Sequence, residues 1–78
     1  MPNLYFLRLG SDSLEEAVPF QSRQGAVRRY SIVARELASY GQEIEASIHV
    51  APTRSVVDEY PDWVLQLGPR GGVQVHRA

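Results

Sequence analysis

The side chains that most often carry catalysis are present in this sequence, but they are not spaced as a catalytic constellation. Glu15 and Glu16 are paired carboxylates only in sequence, and the same holds for Glu43 and Glu45. No serine lies in a G-x-S-x-G nucleophile elbow, and none has a base at a recognisable offset. A chain of this size also lacks the second layer that normally forms a deep substrate pocket. We therefore expect a protein that is not an enzyme.

The two histidines of the sequence do not predict a metal site. His49 and His76 fall at outward positions of two predicted strands, where they could meet if those strands were neighbours. The chain has no Cys, and two histidines without a third ligand make a poor zinc site. We interpret both as ordinary exposed histidines, and we expect neither a metal nor a cofactor.

The outward face of a predicted helix carries the first candidate binding surface. Ile32 lies four residues after Arg28 and three before Arg35, so the three side chains share one side of the helix. Arg is enriched at binding hot spots, and an apolar neighbour allows its guanidinium to be desolvated in a complex. The alternative is a solvated face with one stray apolar residue, which is ordinary on protein surfaces.

An acidic loop is the competing candidate for partner binding. Asp58, Glu59 and Asp62 surround Tyr60 and precede Trp63. Such a loop could receive a basic partner surface, although its spacing is not that of an EF-hand. The alternative is a connecting loop in which Trp63 anchors the core. A basic helix and an acidic loop together make the molecule bipolar, which could favour a homodimer.

Nucleic-acid binding is possible but less favoured than binding to a protein. All eight positive charges are Arg, and the nine carboxylates bring the net charge to −1. Proteins that bind DNA are normally basic. The only basic concentration lies on or beside the predicted helix, at Arg23, Arg28, Arg29 and Arg35. Glu36 interrupts it, and Glu43 and Glu45 occupy a sheet face where a phosphate-binding surface would need cations.

The helix that would carry these arginines is the clearest element in the sequence. Ser22 is a good N-cap for a helix over Ser22–Tyr40, and Gly41 follows as the residue that ends it. The apolar residues recur with helical periodicity and predict one buried face. They are Ala26, Val27, Tyr30, Val33, Ala34, Leu37, Ala38 and Tyr40.

Short apolar or alternating segments around this helix predict a sheet. The predicted strands are Asn3–Leu9 inside the sheet, Glu15–Phe20, Gln42–Val50, Asp62–Leu67 and Val73–Arg77, the last two forming a hairpin. In the second of these, Pro19 favours a sheet edge or a strand end. In the third of these, Ile48 and its even-numbered neighbours point to the core and His49 points to water. Val73 and Val75 are predicted to point inward. The expected fold class is α+β, with one helix on a mostly antiparallel sheet of four to five strands in the order β(β)αβββ.

Length and composition limit the remaining possibilities. The 78 residues make a single domain, 1–78, with a small core. No apolar stretch approaches the length of a membrane span, and the first ten residues do not resemble a signal peptide. We therefore expect a cytoplasmic protein that does not bind membranes.

Two segments, GQEIEASIHVA over 41–51 and DWVLQLGPRGGVQVHR over 62–77, resemble small uncharacterised proteins of bacterial mobile elements, the plasmid and phage accessory proteins that include anti-CRISPR proteins. The resemblance implies a stoichiometric inhibitor or adaptor that occupies a surface on a large host complex, and it transfers no functional residue. The near-neutral charge argues against mimicry of DNA. The sequence thus predicts a non-catalytic protein-binding module, with a nucleic-acid-binding module and a homo-oligomeric structural protein as alternatives.

Overall fold

One helix packs on a five-stranded antiparallel sheet, which confirms the α+β class predicted from the sequence. The computed structural model describes residues 2–78. The strands lie in the order β2-β1-β3-β4-β5 across the sheet. The elements are β1 (Leu4–Leu9), a 3₁₀ turn (Leu14–Glu16), β2 (Val18–Phe20), α1 (Arg23–Ala38), β3 (Ala46–Ala51), a second 3₁₀ turn (Arg54–Val56), β4 (Trp63–Leu67) and β5 (Val73–Arg77).

The ends of α1 are fixed by the residues that the sequence indicates. The Ser22 hydroxyl accepts a hydrogen bond from the Gly25 amide at 3.1 Å, which satisfies one of the free donors of the first turn. At the other end Gly41 adopts a positive φ of 77°, and the Gln42 amide donates back to the Leu37 carbonyl. A left-handed glycine with this backward hydrogen bond ends a helix.

The register of the sheet places β3 between β1 and β4. β3 lies in the middle, with Leu4 of β1 opposite Ala51 and Leu9 opposite Ala46. On its other side Ile48 of β3 pairs with Trp63 of β4. The predicted hairpin is confirmed, because β4 and β5 are antiparallel neighbours.

The main core lies between α1 and the sheet. Its buried residues are Leu7, Ala26, Tyr30, Ala34, Ala46, Ile48 and Leu65. Tyr30 is completely buried, and its hydroxyl donates a hydrogen bond of 2.5 Å to the Ile44 carbonyl. This bond satisfies the one polar group that the helix brings into the core, so α1 is held in one orientation.

The opposite face of the sheet is also covered, by segments that are distant in sequence. Phe6, Ala17 and Ala51 form a second buried cluster there. The Arg54 guanidinium lies 5.2 Å from the centre of the Phe6 ring and donates to the carbonyls of Leu14 and Glu15. The two 3₁₀ turns are thus tied together over this face.

This second cover corrects the prediction for His49. The residue is 1% exposed and not solvent-facing, because the cover lies over the face that the alternating pattern assigned to water. His49 and His76 do not meet, since β4 separates their strands.

The strand predicted over 42–50 begins only at Ala46, and two further predictions need correction. Tyr40 was predicted on the buried helix face, but α1 ends at Ala38 and Tyr40 is 75% exposed. The predicted strand over 15–20 is shorter, because its first residues form a 3₁₀ turn; its predicted place at the edge is confirmed for β2. Among residues 2–78, no helix has the length and apolar character needed to cross a membrane.

Candidate protein-binding surface

The outward side of α1 presents the predicted arginine and isoleucine patch to solvent. Arg28 and Arg35 are exposed, and Ile32 is 55% exposed, one of six large hydrophobic residues that are exposed in the described chain. The core face of α1 is used by Ala26, Tyr30 and Ala34, about half a turn away. Packing of the fold therefore does not require an apolar residue at position 32.

Arg28 and Arg35 also line a groove between α1 and β5. This groove has a volume of about 530 Å³. Its helix wall includes Arg23, Arg28 and Arg35, and its floor is formed by Val73 and Val75. The groove therefore combines three arginines with two valines. This combination suits a ligand whose side chains have methylene groups that end in a negative charge. Ile32 lies outside the groove, on the adjoining side of the helix.

Two of the groove arginines are held in place by neighbours. The Arg35 Nε donates to the Gly71 carbonyl at 3.2 Å, which links α1 to the β4–β5 turn. The Arg23 guanidinium lies 5.2 Å from the centre of the Trp63 ring, a cation–π contact. Neither contact neutralises its arginine. No residue found to line the groove, within the described part of the chain, carries a carboxylate.

The residues of the predicted acidic loop lie elsewhere and partly serve the fold. Asp62 accepts the Val50 amide at 2.8 Å through Oδ2, and Asp58 accepts the Tyr60 amide through Oδ1. The Asp58 carbonyl contacts the His49 ring, on the sheet face opposite α1. Glu59 is exposed. The structure therefore brings Arg28 and Arg35 together and keeps them apart from the acidic trio.

A serine and a histidine lie within hydrogen-bond distance, a pair that sequence analysis missed. Ser47 Oγ is 2.8 Å from His49 Nε2, and His49 Nδ1 is 2.7 Å from the Asp58 carbonyl. A carbonyl oxygen can only accept, so Nδ1 donates to Asp58, and Nε2 lies within hydrogen-bond distance of the serine hydroxyl. The signal was available, since residues two apart on a strand share a face. Because the ring is 1% exposed, a substrate cannot reach it, and the pair fastens the β3–β4 connection to β3.

A second groove, of about 560 Å³, lies beside the C-terminal half of α1. Its walls include Ala38, Ile44 and Leu67, together with Glu43 and Glu45. These two carboxylates were predicted only as part of a wet sheet face. α1 is therefore flanked by an arginine-lined groove along residues 23–35 and by a second groove with two carboxylates near its C-terminal end.

Tyr30 anchors α1 to the sheet side through its hydroxyl bond to Ile44, and the pKa of its phenol is raised. Burial raises the pKa of its phenol above the ordinary value of 10.0, and the nearby Glu45 carboxylate raises that pKa further. A backbone hydrogen bond at Leu67 acts in the opposite direction. The phenol therefore remains a neutral hydrogen-bond donor to Ile44 at physiological pH.

Comparison with known proteins adds no relative. No protein-family model matches the sequence, and no curated protein or solved structure was found that resembles it.

Proposed function

We propose that this protein is a non-catalytic protein-binding module that acts through the outer side of α1. The observation that carries the proposal is the exposure of Ile32 beside Arg28 and Arg35, where packing of the fold requires no apolar residue. Arginines with a desolvating apolar neighbour are typical of interface hot spots. The acidic loop with Asp58, Glu59 and Asp62 is the competing surface.

The finer form of this proposal is a stoichiometric inhibitor or adaptor of a bacterial mobile element. A protein of 78 residues acts in such a role by occupying a surface of a larger complex. The support is the combination of small size and one arginine-rich side. Affinity would then come from a few central anchors and not from total area.

A partner-retention experiment tests the proposal. The tagged protein and two triple variants are incubated with lysate of the source cells, and retained proteins are quantified by mass spectrometry. Arg28→Glu, Ile32→Asp and Arg35→Glu together should abolish retention of a partner that binds in a fixed ratio. Asp58→Lys, Glu59→Lys and Asp62→Lys should leave it unchanged, with circular dichroism confirming that both variants fold.

The opposite pattern would move the site to the acidic loop, and loss in both variants would indicate a surface gripped at two places, as in self-association. A parent protein that retains nothing in a fixed ratio would contradict the proposal.

Nucleic-acid binding is the second candidate, because all four helix arginines, at 23, 28, 29 and 35, are exposed. Each phosphate neutralised by an arginine contributes a slope of about −0.9 to log K against log salt on duplex DNA. If this face binds DNA, the plot of log K against log salt should therefore be steep. Arg28→Gln removes about one phosphate contact and should make that slope shallower by about 0.9. A shallow slope would leave protein binding as the function.

A further inference from the structure

We propose that β5 and the groove beside it bind an extended acidic peptide segment of the partner, which adds to the sheet as a sixth strand. This inference rests on the proposed protein-binding function and names the chemistry and binding mode of the partner. It follows from the open backbone groups on β5 and from the charge of the groove above them.

The hydrogen-bond pattern determines which backbone groups of β5 are open. Gly68 N donates to Gly72 O, and Ala78 N donates to Asp62 O. Because hydrogen-bonded pairs alternate along an antiparallel ladder, Gln74 and His76 also direct their backbone groups toward β4. The residues between them direct theirs away from the sheet.

Val73, Val75 and Arg77 therefore each present an N–H and a C=O at the free edge. No strand of the described chain lies on that side, since β5 ends the strand order. The edge is five residues long and contains no proline. Val75 is 38% exposed, although the sequence pattern assigned it to the core. An unpaired strand edge of this kind is a template for strand addition.

The groove selects the charge of the added strand. Side chains alternate across a sheet, so every second residue of the added strand would point toward α1. There it would meet the apolar floor of Val73 and Val75 and the guanidinium groups of Arg28 and Arg35. Glutamate fits both, because its methylene groups cover the valines while its carboxylate pairs with an arginine.

The same arginines disfavour a second copy of this chain as the occupant. Antiparallel pairing of two β5 edges around a two-fold axis would place both helices on the same side of one continuous sheet. The flanks with Arg23, Arg28 and Arg35 would then face each other, and like charges facing each other across an interface are costly. An acidic segment would instead be attracted by these arginines, and it would pair with the same open backbone groups of β5.

Titration with a defined peptide tests the proposal. The probe is a fluorescently labelled peptide in which glutamates alternate with threonines, and the control replaces each glutamate by the neutral isostere glutamine. Anisotropy should show saturable binding of the acidic peptide to the parent protein. The glutamine peptide should bind at least about tenfold more weakly, since charge-assisted hydrogen bonds are lost.

Matched variants separate the backbone edge from the charge. Val75→Pro removes an outward N–H without disturbing the ladder to β4 and should weaken binding by about tenfold or more, whereas Val75→Thr keeps the N–H and should retain it. Arg28→Gln should weaken binding of the acidic peptide. Arg29→Gln removes an exposed charge of the same helix outside the groove and should change little.

The proposal would be overturned by no saturable binding, by equal binding to Val75→Pro, or by equal losses from Arg28→Gln and Arg29→Gln. If Val75→Pro fails to fold, the comparison of Arg28→Gln with Arg29→Gln still tests the proposal. A dimer in light scattering that the peptide does not dissociate would also overturn it. Loss of the lysate partner in the helix-face variant together with retention in Val75→Pro would preserve the proposed function and reject the strand-addition mode.

Discussion

The two edges of the sheet are built differently. β2 is three residues long and carries Pro19 at its centre. Gly10 N donates to Glu45 O, so the even-numbered residues of β1 face β3 and its odd-numbered residues face β2. Val18 and Phe20 therefore direct their backbone groups to β1, and Pro19 faces outward.

The β2 edge thus offers no N–H along its length, because its only outward residue is a proline. β5, by contrast, offers outward donors and acceptors at Val73, Val75 and Arg77. Short length and proline are means by which proteins prevent edge pairing. The chain applies both at β2 and neither at β5, where it places arginines instead. A charged groove beside an open edge admits an acidic strand and repels a copy of itself.

The largest expected effect comes from removing the support that both edges share. Ile48 is fully buried in the central strand β3. Ile48→Ala should cost about 2–5 kcal/mol in the free energy of unfolding, since it leaves a cavity in a small core. Urea denaturation measures this, with Val18→Ala at the exposed edge as the control. A loss below about 1 kcal/mol would show that the core does not depend on this strand.

A smaller effect is expected from the bond that fixes the helix wall of the groove. Tyr30→Phe leaves the Ile44 carbonyl without its donor and should cost about 1–3 kcal/mol. The backbone groups of β5 would remain open, but α1 would be held less firmly beside the groove. Binding of the acidic peptide should therefore weaken, and the β2 edge should not change. Unchanged stability would mean that the hydroxyl bond does not anchor α1.

The same residue predicts a loss of stability in alkali. Because the pKa of Tyr30 is raised in the folded state, its stabilisation is complete below the unfolded pKa of about 10 and is lost as pH rises through the folded pKa. Denaturation midpoints of the parent protein should therefore fall above pH 10. The midpoint of Tyr30→Phe should fall less over that range, and an equal fall in both proteins would contradict the assignment.

Opening the closed edge should have a modest effect on stability and a visible effect on association. Pro19→Thr should cost about 0.4–1 kcal/mol, because the unfolded chain becomes more flexible. It also adds an outward N–H to β2, so light scattering should show a greater increase of mass with concentration than in the parent protein. Identical curves would show that proline is not what closes this edge.

The smallest effect on stability is expected at the open edge. Val75→Thr changes a partly exposed side chain and should alter the free energy of unfolding by less than about 0.5 kcal/mol. Together with retained peptide binding, this would show that the backbone of β5 matters more than the valine side chain. A large loss would instead place Val75 in the core, as its sequence pattern predicted.

The sequence predicted what depends on local chemistry. Ser22 and Gly41 determine the ends of α1 through capping and a positive φ, and these positions were correct. The alternating pattern of 46–50 correctly placed Ile48 in the core. It failed for His49, because that face is covered by Ala17 and by the segments with Arg54 and Asp58, which are distant from β3 in the sequence pattern. The alternation of apolar and polar residues shows which side chains share a face of a strand. It does not show which distant segments pack against that face.

The candidate site was predicted only in part, for a related reason. The grouping of Arg28, Ile32 and Arg35 follows from helical spacing. The groove does not, because it depends on which strand lies beside the helix flank, and strand order cannot be read from a single pattern. Val73 packs against the core as predicted, but Val75 is 38% exposed, since an edge strand and an inner strand share one alternation.

Backbone amide hydrogen exchange tests the open edge of β5 most directly. In the free protein the amides of Val73, Val75 and Arg77 should exchange faster than those of Gln74, His76 and Ala78, which face β4. Addition of the acidic peptide should slow the first group and leave the second unchanged. Protection of Val73, Val75 and Arg77 in the free protein, or no change on saturation with the peptide, would contradict the account.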